Sequence, residues 1–199
     1  MVNDVYNGIR QIKKEALEES VPIMQDDTID FITNYISSKN IKTILEIGTA
    51  TGYSSIMMAL SNPKVRVVTI EKDQERYKKA LKNVKKMDLE DRITLIFNDA
   101  LEVNLDNKFD LIIIDAAKSK NLDFFSRFER NLEVNGSIIT DNLSFHGYVE
   151  KDLSLIPSRN IRGLVKKIRA YITFLKENTK YKTKFYDIGD GISVTERRI

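Results

Sequence analysis

A chain of 199 residues, 42% hydrophobic and 31% charged, carries enough apolar material for one domain with a full core. The absence of cysteine excludes disulfides, thiolate nucleophiles and cysteine-ligated zinc. No apolar run approaches the roughly 20 residues of a membrane span. The first ten residues lack the apolar core of a secretory signal. A net charge of +3 points by itself to no partner, and the expectation is a cytoplasmic protein with no membrane partner.

In chain order, amphipathic stretches and apolar runs alternate, which predicts an α/β fold with a mainly parallel sheet. Helices are expected near 4–18 and 26–38, with Asp26 and Asp27 at the start of the second, then a strand near 42–47 and a helix near 53–61. A strand near 66–71, a helix near 74–86 capped by Asp73, and strands near 93–97 and 109–114 follow. A helix near 120–132 leads to a strand near 135–140, entered through Asn135-Gly136. The segment 143–159 has no clear periodicity and reads as a long loop, a type of segment that often carries function. A helix near 160–178 precedes two strands, near 183–188 and 191–197, joined at Gly189-Asp-Gly191. So tight a connection requires them to pair antiparallel. The expected architecture is therefore seven strands, mostly parallel, with an antiparallel C-terminal hairpin and helices on both faces. The whole of 1–199 reads as one domain, with 1–22 as a helical extension and 160–199 as the final helix and hairpin.

Three strings carry chemistry. Glu46-Ile-Gly48-Thr-Ala-Thr-Gly52 is a glycine turn between a buried strand and a helix, where backbone can approach a ligand and helical N–H groups can point at it. Glu71 ends the next strand, 19 residues past Gly52, close to the spacing of an acid that accepts from ribose hydroxyls. Asp115-Ala-Ala-Lys118 and Asp141-Asn142 each follow a buried strand, at the carboxyl ends where α/β sheets bind ligands. Two carboxylates and an amide oxygen suit Mg²⁺, or Mn²⁺, which accepts the same donors. A lysine beside such a site favours an oxyanion, or acts as a base when its pKa is lowered.

On these strings the sequence resembles the class I S-adenosylmethionine-dependent methyltransferases, and within them the metal-dependent O-methyltransferases of the catechol and caffeoyl-coenzyme A type, from Pro22-Ile-Met24 to Gly189-Asp-Gly191. The resemblance implies that Glu46, Gly48 and Gly52 form the first cofactor motif, that Ser54 binds the methionine carboxylate and that Glu71 binds the ribose. Asp99 and Ala100 would lie near the adenine, with Met24 and Asp115 also at the cofactor. Asp115, Asp141 and Asn142 would hold the metal, with Lys118 as the catalytic residue beside the accepting oxygen. His146, the single histidine, lies a few residues past the metal pair and is a candidate substrate contact.

For the acceptor, the final helix groups Arg162, Lys166 and Arg169 on one face, with Arg159 just ahead and Lys167 nearby, a pattern suited to phosphate backbones. The opposite face, through Ile161, Leu164, Val165, Ile168, Ile172 and Leu175, should enter the core. The strings are similar to those of small bacterial members of the family, among them the tRNA 5-hydroxyuridine methyltransferases. That implies a splayed wobble base in a tRNA anticodon loop as acceptor, its 5-hydroxyl and C4 oxygen chelating a metal as a catechol does. A catechol-like small phenol is the alternative, and a non-catalytic binding module a third reading. Relatives of this type are usually homodimers, and the N-terminal helix could supply the contact.

Overall fold

The computed structural model describes residues 2–198. It contains a seven-stranded sheet of order β3-β2-β1-β4-β5-β7-β6, the mostly parallel arrangement with an antiparallel end that the alternation predicts. The chain divides after Asn104 into two compact units.

The first unit holds α1 (Val2–Glu18), α2 (Asp26–Lys39), β1 (Thr43–Ile47), α3 (Tyr53–Ser61), β2 (Arg66–Glu71), α4 (Gln74–Lys86) and β3 (Ile93–Phe97). Its strands are parallel, with Ile47 level with Ile70 and Glu71 level with Phe97. β1 is buried over Ile44–Ile47 because its residues are apolar or hydrogen-bonded on both faces, as an interior parallel strand requires. Asp73 caps α4 by accepting the Arg76 N–H at 2.9 Å. Asp26 and Asp27 do not cap α2. That position belongs to Gln25, which makes no side-chain cap, and the two acids lie in the first turn, where the helix dipole favours them. Asp26 instead pairs with Lys13 of α1 at 2.5 Å and accepts from the Tyr53 hydroxyl at 3.4 Å.

The second unit holds β4 (Phe109–Ile114), α5 (Asn121–Phe128), β5 (Leu132–Thr140), α6 (Arg159–Glu177), β6 (Tyr181–Tyr186) and β7 (Ile192–Arg197). β4 and β5 are parallel, and β7 runs antiparallel to both β5 and β6. The helix expected to run to 132 ends at Phe128, followed by one 3₁₀ turn over Glu129–Asn131, because β5 starts earlier than the Asn135-Gly136 punctuation suggests. That dipeptide lies inside the strand, in an irregularity: Phe109 faces Leu132, yet Leu111 already faces Ser137. A Cβ on Gly136 would stand 2.8 Å from Leu132 Cδ1 and 3.0 Å from the Asp110 carbonyl, so any side chain there would have to displace the Leu132 tip and crowd the β4 backbone.

The core of this unit is aromatic. Phe125 packs edge-on to Tyr181 at 5.3 Å and to Phe174 at 5.2 Å, and Phe125, Phe128, Tyr171 and Tyr181 are almost fully buried. Burying a side chain of this size contributes about 1.5–3 kcal/mol. On α6 the inward face is Val165, Ile168, Tyr171 and Leu175, while Ile161, Leu164 and Ile172 are half-buried at its margin. Tyr171 escapes an apolar-only pattern because its hydroxyl is matched inside the core by Thr140 Oγ1 at 2.8 Å. Tyr171→Phe orphans that buried threonine, and the expected cost is about 1–2 kcal/mol, read as a lower urea midpoint at constant slope.

Candidate active site

In the first unit the chain leaves β1 through Gly48 (φ +100°), Ala50 (φ +48°) and Gly52 (φ +83°), an alternation of left-handed residues that turns the backbone sharply into α3. The turn is tied at both ends. The Gly48 N–H reaches the Ile70 carbonyl at 3.0 Å, and Asn83 of α4 donates to the Thr51 carbonyl at 2.9 Å. Gly52 is packed against Ala80, whose Cα and Cβ would stand 3.4 Å from an added Cβ. The first N–H groups of α3, from Tyr53 to Ser55, have no carbonyl one turn earlier and face the turn as donors.

Glu46 is fully buried and receives three hydroxyls, from Ser54 at 2.5 Å, Thr69 at 2.7 Å and Ser55. Burial raises its carboxyl pKa, against the lowering effect of those hydroxyls. The Ser54 hydroxyl thus donates inward to Glu46. A ligand carboxylate at this turn would meet the Ser54 backbone N–H at the helix start. Glu71, also buried, accepts N–H groups from Ala50, Lys72 and Asp73 at 2.9–3.0 Å, so one carboxylate fixes both the glycine turn and the exit of β2. Asp99 accepts from the Leu101 N–H at 2.9 Å and lies 3.6 Å from the Lys72 ammonium, with Ala100 buried beside it. Met24 is buried in the segment that leads into α2. Ser55, Thr69 and Asn83 were not singled out from the sequence. A polar residue at a strand or helix position that should be apolar was the signal available.

In the second unit Asp115 and Lys118 leave the end of β4 half-buried, and Lys118 opens a single 3₁₀ turn over Lys118–Lys120. Asp141 leaves the end of β5 almost fully buried. Its Oδ1 accepts the Asn142 N–H at 2.7 Å, and its Oδ2 is buried with no hydrogen-bond partner. Burial, and secondarily the neighbouring Asp115 charge, push the Asp141 carboxyl up to about 7, against the lowering effects of the Asn142 hydrogen bonds and the Lys118 ammonium. Asn142 is left-handed (φ +61°), a conformation asparagine tolerates better than most residues. Among the described residues no three histidine, cysteine or acidic side chains form a metal-binding group. The set here is two carboxylates and an amide. An unsatisfied buried carboxylate oxygen beside a second carboxylate fits an oxygen-ligated divalent cation that completes its shell with water or substrate.

The loop 143–158 contains one 3₁₀ turn, Leu153–Leu155, and is held by two arginines of α6. Arg169 donates to the Val149 and Lys151 carbonyls at 2.8 and 2.5 Å, and Arg162 to those of Ile156 and Pro157 at 2.6 and 3.0 Å. Two of the five basic residues expected to meet phosphates are therefore loop anchors, because planar guanidinium groups fit paired carbonyls. Arg159, Lys166 and Lys167 remain exposed. The His146 side chain is 70% exposed.

The first unit thus holds a glycine turn with buried acids, and the second an acidic pair with a lysine. The family sequence model for O-methyltransferase matches residues 3–198, and the chain belongs to this family. A caffeoyl-CoA O-methyltransferase of Populus kitakamiensis is 28% identical over 186 residues, 89% of this chain and 78% of the relative. A flavonoid 3',5'-methyltransferase of Vitis vinifera is 27% identical, over 98% of this chain and 87% of the relative. A Staphylococcus aureus structure, provisionally assigned as a caffeoyl-CoA O-methyltransferase, superposes with a TM-score of 0.90 at 36% identity, covering 96% of this chain and 92% of that one. The fold is thus the Rossmann-like one of methyltransferases. No helix among the described residues is long and apolar enough to cross a membrane.

Proposed function

We propose that this O-methyltransferase transfers a methyl group from S-adenosylmethionine to one of two vicinal oxygens on an aromatic or base-like acceptor, with Mg²⁺ or Mn²⁺ held by Asp115, Asp141 and Asn142. The observation that carries the reading is the buried, unpartnered Asp141 Oδ2 beside Asp115 and Lys118. When bound, the cation would favour the ionised form of the accepting hydroxyl. Lys118 acts there either as a neutral amine that accepts the hydroxyl proton or as an ammonium whose charge stabilises the oxyanion left when that proton goes to water. Glu71 accepts the cofactor's ribose hydroxyls, and the N–H groups at the start of α3 receive its carboxylate. The remaining barrier is chiefly one of placing donor and acceptor in line.

For the acceptor, a catechol-like phenol is supported by relatives whose names refer to caffeoyl-CoA and flavonoid substrates. The three exposed basic residues of α6 support a second reading, a 5-hydroxyuridine in a tRNA anticodon loop. Labelled methyl transfer to a simple catechol and to tRNA lacking wobble-uridine O-methylation, each with Mg²⁺ or chelator, separates the two. If RNA is the acceptor, the triple variant Arg159→Ala, Lys166→Ala, Lys167→Ala should lose about 10–100-fold in kcat/KM on tRNA and show a shallower salt dependence. If a phenol is the acceptor, the same variant should transfer at the normal rate. Homodimerisation belongs to the same proposal, with α1 exposing Tyr6 and Leu17 as a contact face. Light scattering in solution reads it directly.

A further inference from the structure

Past Asn142 the backbone enters a strained turn, closed locally by the Tyr148 and Val149 N–H groups on the Phe145 and Ser144 carbonyls at 2.9 and 3.2 Å. Phe145, His146 and Gly147 are left-handed in succession, at φ +46°, +54° and +73°. For the two non-glycine residues this conformation costs roughly 1–2 kcal/mol each. Its N-terminal side is held from the turn between β6 and β7, more than forty residues further along the chain. Asp190 is 7% exposed, and its Oδ1 accepts the His146 N–H at 2.6 Å. The Asp190 and Gly191 carbonyls accept the Ser144 and Leu143 N–H groups, both at 2.8 Å. Gly191 (φ +80°) lies so close to Ser144 that an added Cβ would stand 2.6 Å from its Oγ. The second carboxylate oxygen, Asp190 Oδ2, is buried without a hydrogen-bond partner and lies 3.9 Å from His146 Nδ1. The hairpin turn is therefore a clamp on residues 143–146, with one buried carboxylate bonded to the backbone of His146.

We propose that Asp190 is a positioning residue for the acceptor side of the reaction: its carboxylate holds the left-handed turn at 145–147 through the His146 N–H, and with Gly191 it fixes the chain that leaves Asn142. The inference rests on the reading of Asp141 and Asn142 as acceptor-side ligands. Asp190 acts through the loop and does not itself touch acceptor or cofactor. The nearest analogy in energetic weight is the outer layer of a metal site, whose removal typically lowers activity about 10–100-fold.

The test uses the full chain and the variants Asp190→Ala and Asp190→Asn. Three quantities are read: hydrogen exchange of the His146 amide, S-adenosylmethionine affinity by calorimetry, and Mg²⁺-dependent transfer to a catechol probe. D190A should lose His146 amide protection and about 10–100-fold in kcat/KM, with cofactor affinity within about twofold. D190N keeps an oxygen for the His146 N–H and should retain the protection and most of the rate. Unchanged exchange at His146 in D190A, equal damage in both variants, or a parallel fall in cofactor affinity would each overturn the proposal. If the unmodified protein transfers no methyl group to the catechol, it is the acceptor reading that fails, and the exchange measurement still decides whether Asp190 holds the loop.

Discussion

Asp141→Ala is expected to abolish cation-dependent methyl transfer, by about 10³-fold or more in kcat/KM, since loss of a direct ligand should exceed the 10–100-fold typical of its supporting shell. Cofactor affinity should stay within about twofold, because the Glu46 and Glu71 networks are both built inside the first unit. Full activity of this variant in chelator would sink the metal assignment. The same carboxylate makes a prediction about stability. Its pKa stands at about 7 in the metal-free fold against an ordinary 3.8, so between those values the folded chain holds a proton that the unfolded chain has released. The protein binds more protons folded than unfolded there, and stability falls as pH rises through that window. Metal-free protein should therefore melt at lower temperature at about pH 8 than at about pH 5, and Mg²⁺ should remove much of the difference by occupying the ionised form. Asp141→Asn should melt at nearly the same temperature at both pH values. A wild-type midpoint that rises with pH in chelator would contradict the assignment of the shift to this residue.

The second large effect is expected at Glu71. Glu71→Ala removes the acceptor of three part-buried N–H groups and the proposed partner of the ribose hydroxyls. Hydrogen bonds to charged groups contribute about 1.5–3 kcal/mol each. A loss of about 2 kcal/mol in S-adenosylmethionine binding is roughly 30-fold in Kd. Glu71→Gln should fall between, because its amide oxygen can serve only one side of the group: Oε1 takes Lys72 and Asp73, and Oε2 takes Ala50. Unchanged affinity by calorimetry for both variants would remove Glu71 from the cofactor site. A drop confined to thermal stability would leave it as a clamp on the glycine turn alone.

The mostly parallel sheet and most element boundaries were legible because interior parallel strands are unbroken apolar runs and the helices between them are amphipathic. Accordingly α3, β2, α4, β3 and β4 fall where the runs place them. The failures share one cause. A local pattern suggests one role, and a partner elsewhere in the chain overrides it. Asn135-Gly136 looks like the entry to a strand, yet β4 draws the strand back to Leu132. Arg162 and Arg169 look like a phosphate-binding face, yet carbonyls of the preceding loop claim their guanidinium groups. At the site, chemistry-bearing residues next to strand ends were visible as strings. The residues that hold them in place were not, because Thr69, Asn83 and Asp190 act across 20 to 44 residues of sequence separation.

The irregular pairing of β4 with β5 has a consequence for the acidic pair. Between the level pairs Phe109–Leu132 and Leu111–Ser137, β4 advances two residues and β5 advances five, so β5 absorbs three extra residues before the strands lock into step. From there to Ile114–Thr140 they stay level, and Asp115 and Asp141 are the next residue of each. The register that sets the two carboxylates level is thus metered upstream, by the length of a glycine-containing slack segment, and is closed at the site by the Asp141 N–H on the Ile114 carbonyl at 3.2 Å. Adding or deleting a single residue there would slide Asp141 by about 3.3 Å along the strand and turn its side chain to the other face. Both acids would still be present in such a chain, and the ion they are proposed to share would have lost its cage.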